Sequence, residues 1–161
     1  MARQLTAFDI GQSMAKVVTV AAGQVKKAAV VEVPDNMVQG GVVQFNDALG
    51  DTLKTAMKEQ GLGRGNAAVI LPESLVFARN VTVPPMTEAQ LRYNLPFEFK
   101  DYLTQEKSQY YFDYAVQEIV REDNIPKEMR LFACAALKST IESYRALFRA
   151  VGCKLTLALP E

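Results

Sequence analysis

The 161-residue sequence contains no histidine. Histidine is the usual general base near neutral pH and a frequent metal ligand, so a histidine-based catalytic triad and a histidine-ligated metal site are both excluded. The two cysteines, Cys134 and Cys153, are too few for a four-cysteine zinc site. Each lies in an apolar run, which is typical of a small buried side chain. Nothing in the sequence marks secretion, so we do not expect a disulfide.

The sequence also lacks an excess of charge of either sign, because 18 Lys and Arg residues balance 18 Asp and Glu residues. A nucleic-acid binder normally carries a basic excess, so this balance argues against that class of protein. Zero net charge also removes one safeguard against self-association. No segment approaches the ~20 apolar residues of a membrane-spanning helix, and the N-terminus lacks the apolar core of a signal peptide. We therefore expect a cytoplasmic protein.

What the sequence does contain is the composition of a globular domain, with 49% apolar and 22% charged residues. Apolar and β-branched residues at 5–10, at 14–21 and in "KKAAVVEVP" predict a three-stranded antiparallel meander. The first two of these strands flank a glycine turn, "DIGQSMAK", which carries one aspartate and one lysine. This turn is either a plain hairpin or a loop that holds a phosphate.

Three helices are predicted from their caps and apolar spacing. The first begins at Asn46 and ends at Gly61, the second opens with a capping box at Thr87, and the third ends at Gly152. Pro96 falls inside the second helix and is expected to kink or split it. The predicted order, βββ-α-β-β-α-β-β-α-β, indicates an α/β fold with a mixed sheet.

Three segments together resemble the N-terminal half of the type IV pilus assembly protein PilM family, which are actin-like ATPases related to FtsA. They are "FDIGQSMAKVV", similar to the opening phosphate-loop hairpin of that family, "ILPESLVFARNVTVPPMTEAQLRYNLPFEFKDYL" and "YRALFRAVGCKLTLAL". The second segment is the most specific of the three, because it matches two strands, a proline pair and the helix that follows. The resemblance implies an actin-like (ribonuclease H-like) core subdomain, residues 1–72 and 153–161, and an inserted PilM/FtsA-type α+β subdomain, residues 73–152.

In the family, the protein lies at the cytoplasmic face of the inner membrane and grips the N-terminal tail of the membrane protein PilN between these two subdomains. The resemblance therefore implies a scaffold module that binds a PilN-like tail and other pilus-machine proteins. Candidate partner-binding residues are Phe97, Phe99 and Tyr102. The structural alternative for these aromatic side chains is packing against the strand "YYFDY". We also expect a homo-oligomer, because the terminal strand "KLTLALP" would leave a sheet edge or face uncovered.

The resemblance also implies a nucleotide site. Asp9 would hold Mg²⁺, the backbone amides of Gly11, Gln12 and Ser13 would bind phosphate, and Lys16 would add positive charge. The family usually has serine or threonine where this chain has Gln12, and the second lobe of the family's ATP clamp is absent here. One lobe alone should bind ATP weakly. We therefore expect no cofactor and no catalysis in this chain alone, whereas a full-length protein could bind ATP and Mg²⁺.

Two alternatives stay open from the sequence. The first is an actin-like Mg-ATP-binding protein whose second lobe is missing or is supplied in trans. The second is the cytoplasmic domain of an L-type protein of type II secretion, which shares the same general fold.

Overall fold

The structure is a computed structural model that describes residues 4–44 and 46–161. Within these residues the chain forms ten strands and three α-helices, which follow one another in this order: β1 (Gln4–Ile10), β2 (Met14–Ala21), β3 (Gln24–Glu32), β4 (Val38–Gln39), β5 (Val42–Val43), α1 (Asn46–Glu59), β6 (Asn66–Leu71), β7 (Val76–Val83), α2 (Glu88–Glu98), β8 (Tyr110–Glu122), β9 (Ile125–Leu137), α3 (Lys138–Val151) and β10 (Lys154–Pro160). No helix in these described ranges is long and apolar enough to cross a membrane.

The chain divides into two compact units. The first unit consists of the chain up to Leu75 together with Ser139–Glu161, and the second is Val76–Lys138. The sequence-based division assigned residues 73–152 to the second part. The structure instead places α3 with the first unit, where the Phe148 ring meets the Phe8 ring of β1 edge to face at a centroid distance of 4.8 Å.

The first unit is built on a five-stranded mixed sheet with the strand order β10-β6-β1-β2-β3. β1 pairs with β2 and β2 with β3 in antiparallel fashion, which confirms the predicted meander. β6 joins β1 in parallel, and β10 joins β6 in parallel. Along β1, Thr6, Phe8 and Ile10 are buried while their neighbours are less so, so one face of the strand lies in the core. The predicted mixed-sheet α/β class is confirmed.

Two helices complete the core of the first unit. α1 and α3 approach so closely that a Cβ added at Gly50 would lie 2.7 Å from Cβ of Ala150. Each helix ends as the sequence predicts. Gly61 and Gly152 adopt φ of +61° and +84°, and the next residue donates its N–H to a carbonyl in the last turn of the helix, at 2.9 and 2.8 Å respectively. These are the bonds of a Schellman cap, which favours glycine because φ is positive.

The second unit is a three-stranded antiparallel sheet, in the order β7-β9-β8, on which α2 packs. Leu91, Leu95 and Phe99 point from the helix region into a core shared with the strands. The capping box predicted at Thr87 is present, since its hydroxyl accepts from the N–H of Gln90 and the Gln90 side chain accepts from the N–H of Thr87.

Tight turns connect two of the antiparallel pairs. Ala22 and Gly23 join β2 to β3, and Asp123 and Asn124 join β8 to β9, with positive φ at all four residues. This backbone is the one that matches strand twist in two-residue hairpins, and Asp and Asn tolerate it better than most residues.

The structure differs from the prediction in two further places. The loop 34–44 contains the short hairpin β4–β5, which is only two residues wide on each side and leaves little sequence pattern. α2 is not split at Pro96 but runs on to Glu98, so the proline falls in the last turn, and the one helical hydrogen bond that it removes is the bond to the carbonyl of Arg92. Both cysteines are free thiols, and burial raises the pKa of each.

Candidate functional site

The predicted phosphate loop is the turn between β1 and β2. The register pairs Asp9 directly with Lys16, and Lys16 Nζ lies 2.9 Å from Oδ2 of Asp9. This hydrogen bond, together with the negative charge of Asp9, raises the pKa of Lys16. The structure thus brings the two predicted charged residues together, but as partners of each other.

Some backbone N–H and C=O groups of the turn already form hydrogen bonds within the protein. The N–H of Gly11 donates to the carbonyl of Met14 at 2.9 Å, and the carbonyl of Ser13 accepts from the N–H of Val33 at 2.8 Å. Gly11, Gln12 and Ser13 are all exposed. The prediction that three consecutive amides face a phosphate is therefore corrected at Gly11, because its N–H closes the turn.

The groups that the sequence assigned to Mg²⁺ and phosphate are partly engaged within the protein. The Asp9 carboxylate that would hold the metal already accepts a hydrogen bond from Lys16, and the amide of Gly11 is already used. In residues 4–44 and 46–161, no group of three or more acidic or cysteine side chains is placed to hold a metal ion.

The second candidate region is the end of α2 in the second unit. Phe97 is partly exposed, and Lys107 Nζ lies 3.8 Å from the centre of its ring. The Tyr93 ring lies beside it, with a centroid distance of 6.0 Å. A cation over an aromatic face is attracted by the ring quadrupole, so Lys107 holds Phe97 at the surface.

Tyr102 is the second exposed aromatic side chain of this region. The guanidinium of Arg79 lies 4.8 Å from the centre of its ring. Arg79 Nη1 also donates to the carbonyl of Glu98 at 2.8 Å, which fixes the guanidinium to the end of α2. Tyr102 is thus held by β7 although it lies in the segment after α2.

Phe99, the third predicted partner-binding residue, is not at the surface with Phe97 and Tyr102. It has no exposed surface and belongs to the core of the second unit, where its ring lies 5.8 Å from that of Phe112. Assignment of Phe99 to partner binding is therefore corrected in favour of the packing alternative. Sequence reasoning missed Arg79 and Lys107. The available signals were the one charged residue of β7 and a basic residue in the segment before β8.

The fold of this chain is similar to those of two solved structures. One is described as the PilM-PilN type IV pilus biogenesis complex, with a TM-score of 0.85 and 20% identity over 96% of this chain and 47% of that chain. The other is the cytoplasmic domain of EpsL, an inner membrane component of the type II secretion system of Vibrio cholerae, with a TM-score of 0.64 and 13% identity over 98% of this chain and 57% of that chain. This chain therefore spans about half the length of both.

No curated protein matches the chain by sequence. The two structural similarities confirm the predicted fold class, which PilM-type and EpsL-type proteins share. The family comes from a separate comparison, in which a family model described as "Type IV pilus assembly protein PilM" matches residues 7–158. Because that match extends over almost the whole sequence, the chain belongs to the type IV pilus assembly protein PilM family.

Proposed function

We propose that this chain is a scaffold module of a type IV pilus assembly complex at the inner membrane, and that it binds a short peptide tail of a PilN-like membrane protein. The observation that carries the proposal is the similarity to PilM solved in complex with PilN, at a TM-score of 0.85 over 96% of this chain. Since the chain spans less than half of that protein, the activity of the whole protein is itself part of the proposal.

The surface around Phe97 and Tyr102 is the part of the second unit that we assign to the peptide. Both rings are partly exposed, and each is held by a cation, Lys107 and Arg79 respectively. Aromatic side chains that are already fixed lose little conformational entropy on binding, which makes them suitable anchors for apolar residues of a tail. The two cations add affinity for a carboxylate nearby.

The proposed location follows from the proposed partner. A scaffold that holds the cytoplasmic tail of a membrane protein works in the cytoplasm, as a peripheral component at the inner membrane. In that position the chain would also offer surface to other proteins of the pilus machine, as the resemblance implies.

Binding rather than catalysis is the proposed mode of action. The Asp9 carboxylate is paired with Lys16 and the Gly11 amide is used within the turn, which supports this view. The alternative is an actin-like Mg-ATP-binding protein, which would need the other half of its clamp from a longer chain or from a partner in trans.

Self-association is a second proposal, and it rests on β10 at the edge of the five-stranded sheet. Leu157 and Leu159 are exposed there, and Leu159 lies in register with the exposed Ile70 of β6. A row of apolar side chains at a sheet edge favours pairing with another copy. Light scattering should show a dimer or larger species that the Leu157→Lys substitution dissociates, whereas a wild-type monomer at all concentrations would contradict the proposal.

Fluorescence anisotropy with variants tests the peptide site. The probe is a labelled synthetic peptide of the N-terminal tail of the PilN-like protein from the same organism. We expect the double variant Phe97→Ala/Tyr102→Ala to bind at least tenfold more weakly than the wild type. Ile125→Ala, which removes an exposed apolar side chain elsewhere in the second unit, should leave the affinity unchanged. Equal weakening by both variants would rule out the assigned surface.

A further inference from the structure

Charged side chains are distributed unevenly in the first unit, although the whole chain has no net charge. The strand register aligns one row of residues across the five-stranded sheet from β10 to β3, namely Lys154, Asn66, Leu5, Val20 and Val25. Lys26 follows Val25 on β3, so Lys26 and Lys154 lie at the same end of the sheet, on its two edge strands. Four strand spacings separate them, about 19 Å.

α1 and α3 also end at this end of the sheet. Lys27 Nζ on β3 donates to the carbonyl of Gln60, directly after α1, at 3.1 Å. Arg149 lies in the last turn of α3, shortly before β10 begins. Arg64, in the loop between α1 and β6, lines one depression together with Lys58 of α1. We call this surface the basic end, and its seven cations are Lys26, Lys27, Lys54, Lys58, Arg64, Arg149 and Lys154.

Most of this positive charge is not neutralised within the unit. All seven cations are exposed, and none of them forms an ion pair with another residue that the structure describes. Asp51 and Glu59 line the same depression as Lys58 and Arg64. Each helix C-terminus also carries about half a negative charge, which nearby cations complement. The two carboxylates and the two helix ends together supply about three negative charges, so the basic end keeps an excess of about four positive charges.

The opposite end of the same sheet is acidic. Met14 at the start of β2 pairs with Glu32 at the end of β3, and the N–H of Glu161 donates to the carbonyl of Leu71 at the end of β6. Asp47 lies in the first turn of α1, far from the end of that helix. The first unit is therefore electrically polarised along its strands, and an anionic surface attracts one end while it repels the other.

The layout of the basic end favours an extended anionic surface over a single bound anion. Its cations come from β3, α1, the loop after α1, α3 and β10, and all of them are exposed. In the described ranges no buried side-chain nitrogen or oxygen lacks a hydrogen-bond partner, so none is held ready for a discrete ligand. The cytoplasmic leaflet of a membrane presents many anionic headgroups and a negative surface potential, which attracts clustered Lys and Arg residues.

We propose that the basic end binds anionic lipids at the cytoplasmic face of the inner membrane and orients the first unit there, with the acidic end toward the cytoplasm. The inference rests on the proposed location of the chain at the inner membrane and names the lipid class that holds it there. Each Lys or Arg near the surface adds to the attraction, which falls off within a Debye length. The β1–β2 turn, which lies at the acidic end, then points away from the membrane.

Co-sedimentation with lipid vesicles tests the proposal. The 161-residue chain is mixed with vesicles of phosphatidylglycerol and phosphatidylcholine in equal parts, or with vesicles of phosphatidylcholine alone. We expect binding to the phosphatidylglycerol vesicles to be tighter by about tenfold or more, and this preference to be lost at high salt, because exposed charges are screened. Equal binding to the two kinds of vesicle, or no binding to either, overturns the proposal.

Two double variants with the same net charge separate the basic end from a general effect of charge. Lys26→Glu/Lys154→Glu removes the excess positive charge and should bind the phosphatidylglycerol vesicles more weakly by about tenfold or more. The matched control, Lys100→Glu/Lys127→Glu, reverses two exposed lysines of the second unit and should bind within about twofold of the wild type. Circular dichroism checks that both variants are folded. Equal weakening by both would contradict the proposal.

Lysine acetylation of the wild-type chain gives a readout that needs no variant. The phosphatidylglycerol vesicles should slow acetylation of Lys26, Lys27 and Lys154 and leave that of Lys100 and Lys127 unchanged, as measured by mass spectrometry. Uniform protection of all five lysines, or protection confined to the second unit, overturns the proposal. These assays contain no PilN-like peptide, and the peptide titration contains no lipid, so the lipid proposal and the proposed function can fail separately.

Discussion

Lys16 Nζ lies 2.9 Å from Oδ2 of Asp9, on two residues that face each other across β1 and β2. The side chains are 69% and 44% exposed, so solvent screens the pair and it adds little to stability. The pair matters for the predicted nucleotide site, because the two charged residues assigned to Mg²⁺ and phosphate form an ion pair with each other. This relationship supports the proposal that the chain binds a partner rather than catalyses a reaction.

The pKa of Lys16 should depend on Asp9. The hydrogen bond to Asp9 raises the pKa above its ordinary value of 10.5, so Asp9→Asn should return it toward that value. Asp35→Asn, which removes an exposed carboxylate outside the turn, should leave the Lys16 pKa unchanged. NMR titration of the lysine Nζ groups measures both.

The same pair sets the sign of a pH effect on stability. Because the folded-state pKa of Lys16 is raised, any stabilisation by the pair is present below the unfolded pKa and is lost as the pH rises through the folded pKa. A Lys16 pKa that is unchanged in Asp9→Asn would show that the pair is not formed in solution.

Mg-ATP should not bind this chain tightly. Isothermal calorimetry on the 161-residue chain is expected to show no saturable binding at low micromolar concentration, because one wall of the clamp leaves most of the ligand in water. Saturable binding in that range, removed by Asp9→Ala, would establish the alternative of an actin-like nucleotide-binding protein.

Tyr144 should make stability fall in alkaline solution. Its hydroxyl donates to the carbonyl of Gly41 at 2.9 Å, and burial raises its pKa to about 12. A raised folded pKa means that the unfolded chain loses the proton first, so this contribution is complete below about pH 10 and is lost as the pH approaches 12.

The Tyr144→Phe variant isolates that contribution. At pH 8 it should lower the free energy of unfolding by about 1 kcal/mol, since the hydrogen bond is lost. As the pH rises from 10 to 12, the free energy of unfolding of the wild type should fall by about 2–3 kcal/mol relative to that of the variant. The variant should then be the more stable of the two. Urea unfolding across this range measures it, and parallel pH profiles would mean that Tyr144 ionises as freely in the folded chain as in the unfolded chain.

Phe97 and Phe99 should respond in opposite ways to truncation. Phe99 is fully buried, so Phe99→Ala should destabilise the second unit by about 3–5 kcal/mol through lost burial and a cavity. Phe97→Ala at the surface should lower stability by less than about 1 kcal/mol. Chemical denaturation followed by tyrosine fluorescence compares the two, and similar losses would contradict the placement of the rings.

Local features of the fold could be predicted well because they depend on short sequence intervals. The caps at Thr87, Gly61 and Gly152 follow from residue type and spacing over a few positions, and all three are present. The strand alternation of the meander is equally local. Pro96 was harder, since its effect depends on how many residues of the helix follow it, and only two do.

Long-range features could not be predicted in this way. α3 follows the second unit in sequence, but the contact of Phe148 with Phe8, 140 positions away, places it in the first. Phe97 is exposed and Phe99 is buried because the backbone turns between them at the end of α2, so a separation of two residues decides between surface and core. The Gly11 N–H donates to the Met14 carbonyl and closes the turn, and this main-chain hydrogen bond cannot be predicted from the types of residue in the turn.

The central claim, that this chain holds the tail of a PilN-like partner, is tested most directly by titrating the wild-type 161-residue chain into the labelled tail peptide. A scrambled peptide of the same composition serves as the control. We predict saturable binding with one peptide per chain at micromolar concentration and none with the scrambled sequence. No saturable binding at high micromolar concentration, or equal binding of both peptides, would contradict the claim.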